Sequence, residues 1–232
     1  MNEKTIGNKW YKFDFHTHTP ASSDYANKAD TEIDWLKSLM LKEVDCVAVT
    51  DHVSGAWVDR LKTAYDLISR TEVWFRELHI FPGVEITIST GINRVHVLAI
   101  FDPDTDTAKI NALLGRCGIL EGHGDAESTV ATESVENVLN IVEGANGVVV
   151  AAHIDGPKGL LHNLKNTNLE IKRTLSNLIA AEFLDLNYLK REDVNVELKS
   201  DAKHLAIVSG SDAHSIDSLG SRFTWVKMGS PH

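Results

Sequence analysis

Two continuous apolar runs, CVAVT at residues 46–50 and GVVVAAHI at residues 147–154, do most to limit what this chain can fold into. Each is short, rich in Val and bounded by polar residues, so each reads as a buried strand. Further strand patterns fall at residues 10–17, 81–89, 94–101, 181–186, 205–209 (also read as buried) and 222–228. Helical spacing lies between them. A helix follows Thr31, its N-cap, with Trp35, Leu36, Leu39 and Met40 on one face. Others are expected at 56–69, 108–116, 133–143 (closed by Gly144), 169–178 and, for the most part, 188–200. Residues 121–132 are polar and read as a loop. This alternation is the mark of an α/β fold. A closed β/α barrel fits it better than an open sheet, because no Gly-x-Gly-x-x-Gly follows the first strand.

The chain has 232 residues and no linker tract, which points to one domain over residues 1–232. Its formal charge of −10 argues against a surface that coats duplex nucleic acid or anionic membrane. No apolar run reaches the ~20 residues needed to span a bilayer. Cys46 and Cys117, the only cysteines, read as free thiols in a reducing, cytoplasmic setting.

The connection Ser89-Thr90-Gly91-Ile92-Asn93 is too short for a crossover helix and reads as a hairpin turn. A turn centred between Thr90 and Gly91 would set Glu85 opposite His96, with their Cβ atoms ~5 Å apart.

Polar groups gather where strands end: His16-Thr17-His18, Asp51-His52, Glu85, His153-Ile154-Asp155 and Asp212-Ala213-His214. In a β/α barrel such positions converge on one face. His16 and His18 are two apart on a strand and point to one side, with Asp14 sharing that side. The same parity joins Asp212 to His214 if the strand extends that far. Imidazoles and carboxylates without thiolate suit Zn, Mn or Fe. More donors converge than one ion takes, which implies two or three divalent metals.

These segments resemble the PHP (polymerase and histidinol phosphatase) domain family. Its marks stand here as FHTHT (15–19), TDH (50–52), AAHID (151–155) and GSDAH (210–214), with GVE (83–85) and VHVLAI (95–100) between them. The resemblance runs from about Lys12 to Met228. It implies a distorted (β/α)7 barrel with a hairpin insertion, a trinuclear metal site and phosphoester hydrolysis by a metal-bridged hydroxide. Carried over by motif, the first metal would take His16, His18, Glu85 and Asp212. The second would take Glu85, His96 and His153. The third would take Asp24, His52 and His214, and would bind phosphate or stabilise the leaving group. FHTHTPASSDYA, DCVAVTDH, AAHIDGPKGLL and SRFTWVKM are similar to the PHP modules at the N-terminus of large AAA-like ATPases. That likeness implies an ATPase domain or subunit as partner.

Other residues carry two readings. Asp14 and Asp51 either orient a ligand imidazole or make plain hydrogen bonds. Asp155 either faces the site or caps the following loop. Lys158 and Arg222 are either phosphate clamps or solvated charges. Residues 121–127 are either a lid or a solvated loop. His79, His123, His162, His204 and His232 read as structural or exposed, and Trp35 and Trp57 as packing. The acidic chain and the lack of an aromatic–basic stripe favour a small phosphate ester, a nucleotide or a nucleic-acid end as substrate, over long duplex. Two other classes compete. One is a metal-stabilised regulatory or interaction module serving the ATPase. The other, ranked last because no strand end offers a lysine, is C–N hydrolysis of the amidohydrolase type.

Overall fold

A computed structural model describes residues 9–91, 93–120, 128–163, 174, 178–193, 199–200 and 202–231. The 121–127 segment, most of the expected helix at 169–178, residues 194–198 of the expected helix at 188–200, His123 and His232 lie outside the described residues.

Eight strands form one sheet: β1 (Lys9–Thr17), β2 (Cys46–Val49), β3 (His79–Ser89), β4 (Arg94–Ile100), β5 (Val148–Ala151), β6 (Ala180–Glu182), β7 (Ala206–Val208) and β8 (Thr224–Met228). Their spatial order is β7-β6-β5-β4-β3-β2-β1-β8. Strand β4 is antiparallel to both neighbours and β8 to β1; the remaining pairs are parallel. The sheet curls until its ends almost meet. The chain after β7 runs beside the end of β1, where the Asp212 amide donates to the His16 carbonyl at 2.8 Å and the His18 amide to the Ala213 carbonyl at 2.9 Å. Thr224 Oγ1 links the seam from the β8 side, accepting from the Ser209 amide at 2.7 Å. The result is an α/β barrel, nearly closed.

Helices α1 (Glu32–Leu41), α2 (Val58–Leu67), α3 (Thr107–Arg116), α4 (Val135–Gly144) and the short α5 (Leu160–Asn163) join the strands. Thr31 does cap α1, its hydroxyl accepting from the Asp34 amide, a contact worth about 1 kcal/mol. Asp106 and Ser134 cap α3 and α4 in the same way. The apolar faces of α1 and α2 pack on the outer side of β2 and β3 through Trp35, Leu36, Leu39 and Leu61. Those of α3 and α4 pack on the outer side of β3, β4 and β5.

The barrel interior is a separate apolar plug of Phe13, Cys46, Ala48, Phe81, Leu98, Ile100, Val150 and Val208. It seals one end, so polar residues on the inner face can gather only at the other. Both cysteines are free and buried. Burial pushes their thiols up, to about 12 for Cys46 and about 11 for Cys117. Strand β7 departs from the buried strand that its sequence predicts. Ala206 and Ile207 are exposed and only Val208 is inside, and among the described residues β7 pairs with β6 alone. No helix among the described residues is long and apolar enough to cross a membrane.

Candidate metal centre

Glu85 and His96 reach the open end of the barrel from regular strand, whereas at His16, His52, His153 and Asp212 the local backbone departs from it. In β1, Phe13 pairs with Cys46 and Asp14 with Val47, but Thr17 pairs with Val49, so one extra residue is inserted. Phe15 therefore stacks on Phe13, at 3.9 Å, while the adjacent His16 also turns inward. A bulge of this kind re-aims a side chain. It brings His16 and His18 to the centre and leaves Asp14 on the other face, which corrects the expectation that all three share one side. Asp14 instead accepts backbone amides from Ser211 at 2.8 Å and Gly220 at 2.9 Å, and holds the loop after β7.

His153 and Asp212 are reached by left-handed turns, with φ of 25° and 51°, and Val53, just after His52, has φ of 40°. Such angles are costly for residues with a Cβ and persist where the surroundings enforce them. For Asp212 this replaces the expected strand continuation, since β7 stops at Val208. Gly210 makes the turn possible. A Cβ there would lie 2.6 Å from both the His16 amide nitrogen and its Cβ.

The hairpin register also differs. Glu85 pairs with Leu98 and Thr87 with His96, so the turn is centred one residue later than expected. His96 still reaches Glu85 across the diagonal, with Nδ1 2.7 Å from Oε1.

Glu85 is the hub. It is fully buried, and its two oxygens divide the imidazoles between them. Oε1 faces His96 at 2.7 Å and His153 at 3.2 Å. Oε2 faces His52 at 2.7 Å and both His16 and His18 at 3.5 Å. Asp212 Oδ1 approaches the same two nitrogens, His16 Nε2 at 3.4 Å and His18 Nε2 at 3.3 Å. Those nitrogens are 3.1 Å apart. On the third side, Asp24 Oδ2 lies 3.2 Å from His52 Nε2 and 3.2 Å from His214 Nε2. His214 stacks on His18 with ring centroids 3.9 Å apart.

The arrangement fits cations. Two donors ~2.1 Å from one ion and at roughly right or tetrahedral angles are about 3.0–3.4 Å from each other, close to the separations around His16, His18 and Asp212. One donor atom from each of His16, His18 and Glu85 lies within 4.8 Å of the others, as in His18, His52 and His214, and in His52, Glu85 and His96. Among the described residues, His52 Nδ1, Glu85 Oε2, His96 Nε2 and His214 Nε2 are buried without a hydrogen-bond partner. His52 Nδ1 and Glu85 Oε2 approach closely yet are not aligned as donor and acceptor. Buried polar atoms are rarely left in this way, and a cation satisfies all four.

The electrostatics agree. Burial alone would lower the basicity of His16, but Asp212, Glu182 and Glu85 raise it well above the ordinary histidine value. His52, opposed by burial but hydrogen-bonded to Asp24 and close to the Glu85 carboxylate, rises to about 10. His153 and His214 also rise, the first through Glu85 and the second through Asp24 and Asp212, against their burial. Burial holds His18 down at about 3. Glu85 falls well below the carboxylate range, because His96 and His16 overcome its desolvation.

Three residues outside the predicted set shape the site. Glu182, fully buried at the end of β6, accepts from His16 Nδ1 at 2.8 Å, from the His153 amide at 2.9 Å and from the Gly210 amide at 3.2 Å. One carboxylate thus fixes an imidazole and the two segments that carry His153 and Asp212. Its signal in the sequence is a lone acid within AAEFL. Ser22 bonds His18 Nδ1 at 2.8 Å and accepts the His52 amide at 3.0 Å, and the sequence gives no sign of it. Trp35, expected only to pack, also donates from Nε1 to the His18 carbonyl.

Asp51 acts through that network and touches no imidazole nitrogen: it accepts from Thr19 and Ser22. Asp155 accepts the Leu184 and Asp185 amides and caps the loop. Arg222 donates to the Phe183 carbonyl. Lys158 lies in the loop beside β4, its carbonyl accepting the His96 amide at 3.1 Å. His162 and His204 are exposed, and His79 packs edge-on against Tyr11.

Glu182→Gln keeps the shape but weakens the hold on His16. The expected result is a 10- to 100-fold loss of metal affinity, read by competition with a chromophoric chelator, with an unchanged far-ultraviolet circular dichroism spectrum.

No protein-family profile matches this sequence, and no curated protein matches it. Solved structures do match. A lesion-specific endonuclease, endonuclease Q from Pyrococcus furiosus, superposes with a TM-score of 0.68 at 18% identity, over 94% of this chain and 52% of that one. This chain therefore spans about half the length of that enzyme. A putative metal-dependent phosphoesterase from Bifidobacterium adolescentis matches with a TM-score of 0.59 at 20% identity, over 91% of this chain and 92% of that one. A two-domain Bacteroides vulgatus protein containing a predicted PHP-like metal-dependent phosphoesterase matches with a TM-score of 0.57 at 14% identity, over 99% of this chain and 62% of that one. At these identities the likeness is one of fold.

Proposed function

We propose that this chain, working as one domain, is a metal-dependent phosphoric ester hydrolase. Three ligand sets would hold divalent ions: His16, His18, Glu85 and Asp212; Glu85, His96 and His153; and Asp24, His52 and His214. The observation that carries the reading is the buried Glu85 carboxylate ringed by five imidazoles, with orphaned donor atoms on three of the centre's histidines. The fold shared with an endonuclease and with phosphoesterases supports the choice of reaction.

Bound divalent ions would lower the pKa of a coordinated water and neutralise charge on the phosphate oxygens. The chain supplies the rest. Glu182 and Ser22 fix the Nδ1 atoms of His16 and His18, so that Nε2 of each faces inward. The apolar plug below excludes water from the closed end. Asp24, Asp212 and His214 form the open side, where their side chains are 54%, 33% and 28% exposed, and a substrate enters there. Lys158 and Arg222 are the candidates to contact substrate phosphate. The two buried free thiols support a reducing, cytoplasmic setting. An AAA-like ATPase partner is tested separately, by mass spectrometry of proteins bound to the tagged chain.

The test is to strip the protein with EDTA, reload it with Mn or Zn, and assay p-nitrophenyl phosphate, its bis ester and single-stranded oligonucleotides. Turnover of at least one, lost on stripping and restored on reloading, is expected. Absence of turnover on all of them, with ions bound, would overturn the reading.

A further inference from the structure

The β3–β4 ladder carries Glu85 and His96, and its rungs alternate between two environments. Ile86, Ile88, Val95 and Val97 face the outer core. Glu85, Thr87, His96 and Leu98 therefore face the barrel interior, with Glu85 paired to Leu98 and Thr87 to His96. Thr87 stands one rung beyond Glu85, about 7 Å along the strand. It lies directly across from His96, where opposed Cβ atoms are about 5 Å apart.

Thr87 is neither acid nor imidazole, yet it shares the condition of the ligands around it. It is fully buried, and its hydroxyl has no hydrogen-bond partner among the described residues. Its backbone is not so placed, since its carbonyl accepts the Ala131 amide at 2.8 Å. Across the ladder, the His96 amide donates to the Lys158 carbonyl at 3.1 Å, while His96 Nε2 is buried without a partner. Glu85 Oε2, Thr87 Oγ1 and His96 Nε2 are thus three unmet polar atoms on neighbouring positions of one face. A buried hydroxyl left in this way is costly. Thr87 Oγ1 and His96 Nε2 do not bond each other although their residues are opposed, so what satisfies them comes from outside the chain. For the imidazole that is an ion. A threonine hydroxyl is a weak ligand beside imidazole and carboxylate, but it both donates and accepts, which suits a water in the shell of that ion.

We infer that Thr87 is a positioning residue of the metal centre, its hydroxyl serving through water as the outer hydrogen-bonding partner of the ion that Glu85, His96 and His153 would hold. The inference rests on the metal centre of the proposed function and not on the reaction assigned to it. It gives the ladder a third polar contributor that acts only when the centre is loaded.

Thr87→Val keeps the shape and removes the hydroxyl, whereas Thr87→Ser keeps the hydroxyl and removes the methyl group. In competition with a chromophoric chelator, Thr87→Val is expected to bind Mn or Zn about tenfold more weakly than wild type and Thr87→Ser to stay within about threefold of it. The EDTA-stripped Thr87→Val protein is expected to melt no lower than stripped wild type, because its lost hydroxyl had no protein partner. The rise in melting temperature on adding metal should then be smaller in Thr87→Val. Wild-type affinity in Thr87→Val, an equal loss in Thr87→Ser, or a lower melting temperature of stripped Thr87→Val overturns the inference. If the variants differ as expected and no phosphate ester is turned over, the role of Thr87 stands and the hydrolase reading falls. If wild type turns over a phosphate ester and the variants do not differ, the role of Thr87 alone falls. Wild-type protein that binds no ion overturns both.

Discussion

Glu85→Gln is expected to reduce kcat/KM by about 10³-fold or more and to lower the number of ions retained after gel filtration. An outer-sphere partner of a metal ligand is worth 10- to 100-fold, and Glu85 is placed to be more than that. Its two oxygens face His96 and His153 on one side and His16, His18 and His52 on the other. The amide is nearly isosteric, so the cavity stays filled, but the negative charge that the imidazoles surround is gone. One amide position also becomes a donor aimed at ring nitrogens. Quantification by inductively coupled plasma mass spectrometry checks the ion count, and the rate assay checks the turnover. A variant that keeps full activity and full metal content would show that Glu85 is not a shared ligand.

Metal uptake by the stripped protein is expected to release protons, with an affinity that climbs from pH 6 to pH 9. Imidazole binds a metal only when neutral. In the metal-free protein His52 reaches about 10 and so holds a proton at neutral pH, while His16, His153 and His214 are raised and keep their protons to a higher pH than an ordinary imidazole does. His18, held near 3, brings none. Each proton expelled steepens the affinity by about tenfold per pH unit. Stability of the metal-free protein moves in the opposite sense. A raised histidine stabilises the fold fully below its unfolded value near 6.5, and that contribution fades as pH rises through the folded value, for His52 through about 10. The metal-free melting temperature should therefore fall over the alkaline range in which the metal-induced rise grows. Calorimetric titrations in buffers of different ionisation enthalpy count the protons. A binding enthalpy independent of buffer would contradict the account.

The parts of the fold that local chemistry determines were legible in the sequence. The Thr31 cap, the runs that became β2 and β5, and the helical faces of α1 to α4 each follow from spacing and side-chain type. The gathering of polar residues at strand ends was legible for the same reason: an apolar strand that ends in His or Asp presents it at the barrel mouth. What escaped depends on backbone geometry that no residue type announces. The register of β3 against β4 turns on a one-residue choice within Thr90-Gly91-Ile92-Asn93, and several centres satisfy that composition. The bulge at Phe15–His16 reverses the parity that placed Asp14 beside His16. His153 follows Ala152, whose side chain is already inside the barrel, so simple alternation would aim it outward; its positive φ turns it back. Glu182 escaped because a single acid in a short strand looks like many surface acids until its three donors come from β1, the turn after β5 and the loop after β7.

The most direct measurement is an anomalous-scattering map from crystals soaked in Mn or Zn, recorded across the absorption edge. The account predicts two or three peaks within bonding distance of the named donors, one of them between Glu85 and the His16–His18 pair and another beside His96 and His153. Crystals that take up no ion there, or that bind ions only at surface carboxylates away from Glu85, would contradict it.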